Sequence, residues 1–314
     1  MIAAAAVQKP KALRQGSRLA IIAPASPAKA DRISAGQKEL QRLGFSVALQ
    51  VTLRADGYFT GSAKERRGEF LSALNDPAID ALIATRGGYG SVYLLEEGPL
   101  DPLPAIKPLI GFSDLTTLQI YLWQKHRWTG FYGPMLAAGL DQGPGAASGY
   151  DQASLENALT KTSGTWTIAL QGEALVSGSA QGILLGGAMT LLETTIGTPW
   201  EVNTDNVILI LEDRAMKPYQ IDRALMHLKH AGKLSKVRGI VLGDFPDCPP
   251  PVAGSPSVRD VCARLLAPLG IPIVYGAPIG HTQRAMLTIP LGVRARLTAE
   301  NSGTLEILEP AVIE

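Results

Sequence analysis

Acyl-transfer chemistry uses a hydroxyl, an imidazole and a carboxylate, and this chain offers one of each beside a glycine or at the end of an apolar run. Ser113 stands in Gly111-Phe112-Ser113-Asp114, where Leu109-Ile110 meets a segment of helical period, Leu115, Leu118, Tyr121 and Leu122. At a tight strand-to-helix turn its hydroxyl would stand above the sheet, with the first helix amides close enough to stabilise an oxyanion. The ordinary use of the same residues is a helix cap, by Ser113 or Asp114. The pattern Gly-x-Ser-x-Gly is absent. A serine hydroxyl also needs a base. Of the four histidines, His126 lies between Lys125 and Arg127 at a helix end. His227 and His230 lie in "RALMHLKHAG" near another helix end, and a favourable helix-end charge accounts for all three. His281 differs: it follows Gly280 at a strand end, in the irregular "YGAPIGHTQRAMLTIPLG".

A base in turn needs an acid to orient it. Glu212 closes the apolar run of "VILILED", and a carboxylate at the mouth of a buried strand is costly without a partner. Side chains alternate along a strand, so only one of Glu212 and Asp213 faces the cleft. Asp213 could cap the turn before Pro218, and Glu212 could pair with Arg214 or Arg223. The segment "TRGGYGS" (85–91) reads as a glycine turn. It lacks the order of a phosphate loop, but it can bring a bare backbone N–H to a reacting carbonyl. Gly88 and the amide of Asp114 are then the two oxyanion donors.

The elements that must position these residues alternate. Strands are expected at 17–24, 45–51, 79–90 (running into its glycines), 108–114 and 129–135. Helices are expected at 31–44, 61–77, 91–98 and 115–126. Short apolar strands between helices imply a mainly parallel sheet covered on both faces. The rhythm breaks over 141–182, which holds a helix at 153–160 and the strand-like pieces "TWTIAL" and "EALVSGSAQGILL". A second α/β half follows, with helices at 187–197, 218–232 and 257–270, strands at 206–213, 237–245 and 271–280, and a hairpin over 292–308. The reading is an N-terminal domain over 1–150, a connection over 151–182 and a C-terminal domain over 183–314, with a cleft between the domains. Ligands of open α/β sheets sit beyond the carboxyl ends of the strands. Here those ends are Ala23–Ser26, Arg86–Gly90, Ser113-Asp114, Glu212-Asp213, Gly243-Asp244 and Gly280-His281.

Bulk properties narrow the partners. The 314 residues are 46% hydrophobic with a net charge of +1, which gives no electrostatic reason to expect nucleic acid or a membrane surface. The apolar run at the N-terminus is short and its basic residues follow it, so a frayed leader and a cytoplasmic protein are expected. Cys248 and Cys262 form no metal-ligand spacing and read as buried thiols.

Seven pieces in order, "RGGYGS", "GFSDLT", "GTPW", "ILED", "PYQIDRAL", "GDFPDC" and "GHTQRAMLTIPLG", resemble the LD-carboxypeptidase family of serine peptidases over nearly the whole chain. The resemblance implies Ser113 as nucleophile, Glu212 as orienting acid and His281 as base, with Gly88 and Asp114 as the oxyanion hole. It implies a Rossmann-like N-terminal domain, a C-terminal domain with a swivelling β-rich core, and a homodimer. No metal or cofactor is implied. One departure is "GGAMTLL" (186–192), where Ala188 replaces an asparagine of the family pattern. The expected activity is removal of the terminal D-alanine from a murein tetrapeptide across an L,D bond. Arg86 is the candidate for the substrate carboxylate. The alternative within the family is cleavage of aminoacyl-nucleotide conjugates of the microcin C type, with Trp200 as a platform for the base. The alternative of another class is a non-catalytic receptor for a small ligand, which would have no need of Ser113, Glu212 and His281 together.

Overall fold

A computed structural model describes residues 6–49, 55–96, 98–100 and 106–314. The first half builds β1 (Arg18–Ile22), α1 (Ala30–Arg42), β2 (Ser46–Leu49), the small hairpin of β3 (Ala55–Asp56) and β4 (Phe59–Thr60), α2 (Ala63–Asn75), β5 (Ala81–Ala84), β6 (Leu109–Gly111), α3 (Thr116–His126) and β7 (Gly130–Tyr132). Next come α4 (Gln152–Thr160), β8 (Trp166–Ala169), β9 (Glu173–Val176), β10 (Gly178–Ala188), α5 (Met189–Thr194) and β11 (Val207–Glu212). The chain ends with α6 (Pro218–His230), β12 (Gly239–Gly243), α7 (Val258–Leu266), β13 (Ile273–Ala277), β14 (Ile289–Leu291), β15 (Arg294–Ala299) and β16 (Thr304–Ile307).

Local sequence accounts for most of these elements. β1 is Arg-Leu-Ala-Ile-Ile, with its last four residues buried, as a strand covered on both faces requires. α1 turns Ile33, Gly36 and Leu40 inward. A reciprocal pair starts α2: the Ser62 hydroxyl accepts the Glu65 N–H, and the Glu65 carboxylate accepts the Ser62 N–H. α3 is buried from Thr116 through Trp123, so it runs through the interior with no solvent face over its first two turns.

Two sheets result. The first has the order β14-β7-β6-β5-β1-β2, and the second β8-β16-β15-β10-β11-β12-β13-β9. Strands β2, β1, β5, β6 and β7 are mutually parallel, as are β10 through β13. The architecture is α/β, with a parallel N-terminal sheet and a separate β-rich sheet in the second half. The segment 151–182 supplies α4, β8, β9 and the first residues of β10.

Three local expectations are corrected. The helix expected over 187–197 is shorter, because Gly187 and Ala188 complete the eleven-residue β10. The segment 289–291, read as irregular, forms β14 and pairs antiparallel with β7 in the first sheet. This crossing ties the chain just beyond His281 to the sheet that carries Ser113. Of the two thiols, Cys262 is buried and Cys248 only half-buried. Residues 50 and 51 of the second expected strand, and the first five of the leader, lie outside the described residues. Among the described residues no helix is long and apolar enough to cross a membrane.

Candidate active site

Ser113 follows β6 with only Phe112 between, and a single 3-10 turn leads from it into α3. Its backbone lies in the left-handed region at φ 62°. For a non-glycine residue this costs about 1–2 kcal/mol, and such strain clusters at functional sites. Neither Ser113 nor Asp114 caps α3 with its side chain. The Asp114 carboxylate instead accepts the Ser91 N–H at 2.7 Å, and the Ser91 hydroxyl donates to the Asp114 carbonyl at 2.6 Å. Asp114 therefore ties the Ser113 turn to the end of the glycine segment 85–91. Burial pushes its carboxyl above the ordinary range, against the hydrogen bonds from Ser91.

The glycine segment passes directly over Ser113. A Cβ on Gly87 would lie 2.8 Å from Ser113 Cβ and 3.0 Å from Oγ, so only a glycine lets the two backbones approach this closely. Gly88, at φ 113°, packs in the same way against the Ser26 hydroxyl, which accepts the Tyr89 N–H at 3.1 Å. Among the described residues, the Gly88 and Asp114 amides donate no hydrogen bond to the backbone or to a side chain.

Glu212 ends β11 and is 0% exposed. Three donors converge on its carboxylate. Oε2 accepts the His281 backbone N–H and its Nδ1, both at 2.9 Å, and Oε1 accepts the Tyr132 hydroxyl at 2.5 Å. An ionised carboxylate only accepts, so the Nδ1 of His281 carries the proton and Nε2 is left as the acceptor. Gly280, at φ 61°, leaves room for this, since a Cβ there would collide with the Glu212 carboxyl carbon. The next residue, Asp213, turns the other way. It accepts the Thr190 N–H at 2.9 Å, and the Thr190 hydroxyl also donates to it. Asp213 thus holds the start of α5 through one oxygen, and its other oxygen accepts the Arg214 N–H at 2.9 Å in the turn before Pro218. Arg214 pairs with Asp247 at 2.9 Å and not with Glu212.

His281 is 15% exposed. Burial works against its charged form, but the Glu212 charge and hydrogen bond outweigh that and raise its pKa above the ordinary 6.5. Its loop is held by Asp244, which accepts from Thr282 and from Arg284. Phe112 meets the imidazole edge-on, with ring centroids 5.2 Å apart.

Two cavities, of about 390 and 410 Å³, meet at this point and share Arg86, Gly88, Ser113, Arg214 and His281 in their walls. Among the described residues no hydrogen bond joins Ser113 Oγ to His281. Arg86 is exposed at the rim of both cavities. Trp200 is not among their described walls and packs half-buried against the core. Ala188 lines the second cavity and is paired in register with Glu212, and its N–H donates to the Thr116 hydroxyl at 3.1 Å. Sequence reasoning missed Gly87, Tyr132 and Arg214. Gly87 sits in the quoted glycine segment and Arg214 directly follows Glu212-Asp213, but nothing local distinguishes Tyr132. Among the described residues no group of three His, Cys, Asp or Glu side chains is placed to hold a metal ion.

The comparisons with known proteins agree on one family. Residues 19–133 match the LD-carboxypeptidase N-terminal domain and residues 181–297 the LD-carboxypeptidase C-terminal domain. The chain is 33% identical over 305 residues to a probable murein peptide carboxypeptidase of Bacillus subtilis (strain 168), covering 95% of this chain and 94% of that one. Among solved structures it is similar to the muramoyltetrapeptide carboxypeptidase from Oxalobacter formigenes, at 28% identity and a TM-score of 0.82, covering 94% and 99% of the two chains. It is also similar to the microcin C7 self-immunity protein MccF in complex with aspartyl sulfamoyl adenosine, at 26% identity and a TM-score of 0.88, covering 97% and 99%.

Proposed function

The chain belongs to the LD-carboxypeptidase family, and from that premise we propose that it is a serine carboxypeptidase that hydrolyses the L,D bond to the terminal D-alanine of a murein tetrapeptide. The observation that carries the reading is that the buried Glu212 accepts from Nδ1 of His281 at 2.9 Å, while His281 and Ser113 share the walls of both cavities. Ser113 Oγ attacks the carbonyl carbon of the scissile bond, and His281 Nε2 takes its proton. The C–O bond forms, and the carbonyl electron pair moves onto an oxygen facing the Gly88 and Asp114 amides. His281 returns the proton to the D-alanine nitrogen as the C–N bond breaks. Water, deprotonated by the same imidazole, then clears the acyl-enzyme. Proton transfer requires Ser113 Oγ to approach His281 more closely than it does here, and catalytic hydrogen bonds often tighten only with substrate bound. Arg86 and Arg214 lie where a guanidinium could hold the substrate's terminal carboxylate.

The murein reading rests on the two murein-peptide enzymes among the similar proteins, and Trp200 outside the cavity walls weighs against a nucleobase platform. The similarity to MccF keeps an aminoacyl-nucleotide conjugate as the second reading. Purified protein should release D-alanine from murein tetrapeptide with a higher kcat/KM than it cleaves an aminoacyl sulfamoyl nucleotide. The reverse ranking would replace the first reading by the second. A homodimer and a cytoplasmic placement are part of the same proposal; sedimentation and cell fractionation check them.

The acid–base pair also sets a pH dependence. The charged groups facing His281 are Glu212, then Asp213, with Arg214 opposing them. Only the neutral imidazole accepts the serine proton, and its pKa is raised, so kcat/KM should fall with decreasing pH through a midpoint above 6.5. A profile of D-alanine release whose acid limb lay below that value would contradict the pairing.

A further inference from the structure

Tyr132 is the last residue of β7 and is completely buried. Its strand is held on both sides by segments that carry the site. It pairs in register with Gly111 on β6, two residues before Ser113. On its other edge it pairs with Ile289 on β14, eight residues after His281. The hydroxyl makes two contacts that bridge the sheets: it accepts the Ser113 N–H at 3.2 Å and donates to Glu212 Oε1 at 2.5 Å. The ring is enclosed as well. Phe112 meets it edge-on at 6.1 Å, and a Cβ on Gly187 would lie 3.0 Å from its edge. Burial first, then the Glu212 charge and hydrogen bond, push the phenol well above its ordinary 10, so it stays protonated and donates.

We propose that Tyr132 is a positioning residue that couples the nucleophile turn to the acid–base pair, through its hydroxyl contacts with the Ser113 amide and with Glu212 Oε1. This rests on the assignment of Ser113, Glu212 and His281 above. The Ser113 amide, in a left-handed turn, has a fixed acceptor, and the carboxylate is rotated so that Oε2 alone receives both His281 donors. A donor to one oxygen of the carboxylate also withdraws charge from it and so weakens the support it gives to a protonated His281.

The test compares Tyr132→Phe with replacement of Tyr132 by 2,3-difluorotyrosine, a stronger donor of nearly the same shape. Tyr132→Phe should lower kcat by about 10-fold or more, as expected for a lost hydrogen bond to a charged group, with KM changed by less than about twofold. Its acid limb in kcat/KM should move to higher pH by roughly half a unit or more, and the difluorotyrosine enzyme's limb should move to lower pH. A purely structural tyrosine would slow the enzyme without moving either limb, and limbs that stay in place in the folded variants overturn the proposal. If the phenylalanine variant does not fold, the direction of the difluorotyrosine limb decides. Ser113→Ala is run beside them. If it is inactive while Tyr132→Phe matches the parent, only the coupling role fails; if it keeps full activity, the site assignment and the coupling role fall together.

Discussion

Replacing Ser113 by alanine is expected to lower kcat for D-alanine release by on the order of 10⁶-fold, the loss typical when a triad nucleophile is removed. The fold should be unaffected. Among the described residues the Ser113 hydroxyl makes no hydrogen bond, and the turn is held by backbone contacts, the Tyr132 hydroxyl on its N–H and the Thr116 hydroxyl on its carbonyl at 2.7 Å. The strained backbone adds a second expectation. Glycine adopts φ 62° freely, so Ser113→Gly should be more stable than Ser113→Ala by about 1 kcal/mol although both are inactive. Steady-state release of D-alanine and thermal melting read the two effects separately. A Ser113→Ala enzyme with the parent's kcat would show that the hydroxyl is not the nucleophile. A protein that binds the peptide unchanged and never cleaves it, in parent and variant alike, would be the small-ligand receptor.

Glu212→Gln is expected to have the second-largest effect, a fall in kcat of about 10⁴-fold, as when the acid of a Ser-His-Asp triad is neutralised. The structure says how the amide must sit. Two donors face Oε2 and one faces Oε1, so the amide oxygen occupies the Oε2 side and its NH₂ faces the Tyr132 hydroxyl. The imidazole then keeps its orientation but loses the charge that stabilises its protonated form. With that charge gone, burial dominates the His281 titration, and the acid limb of the remaining activity should move to lower pH. The shift is opposite in sign to that of Tyr132→Phe, although both variants are slow. A Glu212→Gln enzyme with kcat within tenfold of the parent would mean that His281 takes its support from elsewhere.

Local burial patterns made most elements legible, because a side chain's inside or outside position repeats along a helix or strand whatever the distant partner. The parallel first sheet, α3 after "GFSD" and the run of β11 up to Glu212 were read this way. The family was legible from ordered short motifs, and the matched domains agree with it. The helix at 187–197 was over-read because "GAMTLL" continues an apolar pattern through Gly187. Here Gly186 and Gly187 instead extend β10, both at positive φ, with a Cβ on Gly186 colliding with the Ile210 backbone of β11. β14 escaped because three residues, one of them a proline, carry too little periodicity to register as a strand.

The amino-acid sequence by itself determined which residue types stand at the strand ends: a serine two residues after a glycine, a carboxylate after five apolar residues, a histidine after a glycine. It also limited Glu212 and Asp213 to opposite faces. Only the tertiary structure decided which of the two meets His281, that Asp114 bonds to Ser91 instead of capping α3, and that Tyr132 spans both halves of the site. The physical reason is distance along the chain. Glu212 meets His281 across 69 residues and Tyr132 across 80, and a hydrogen bond closed over such a span leaves no periodic trace in the residues next to either partner.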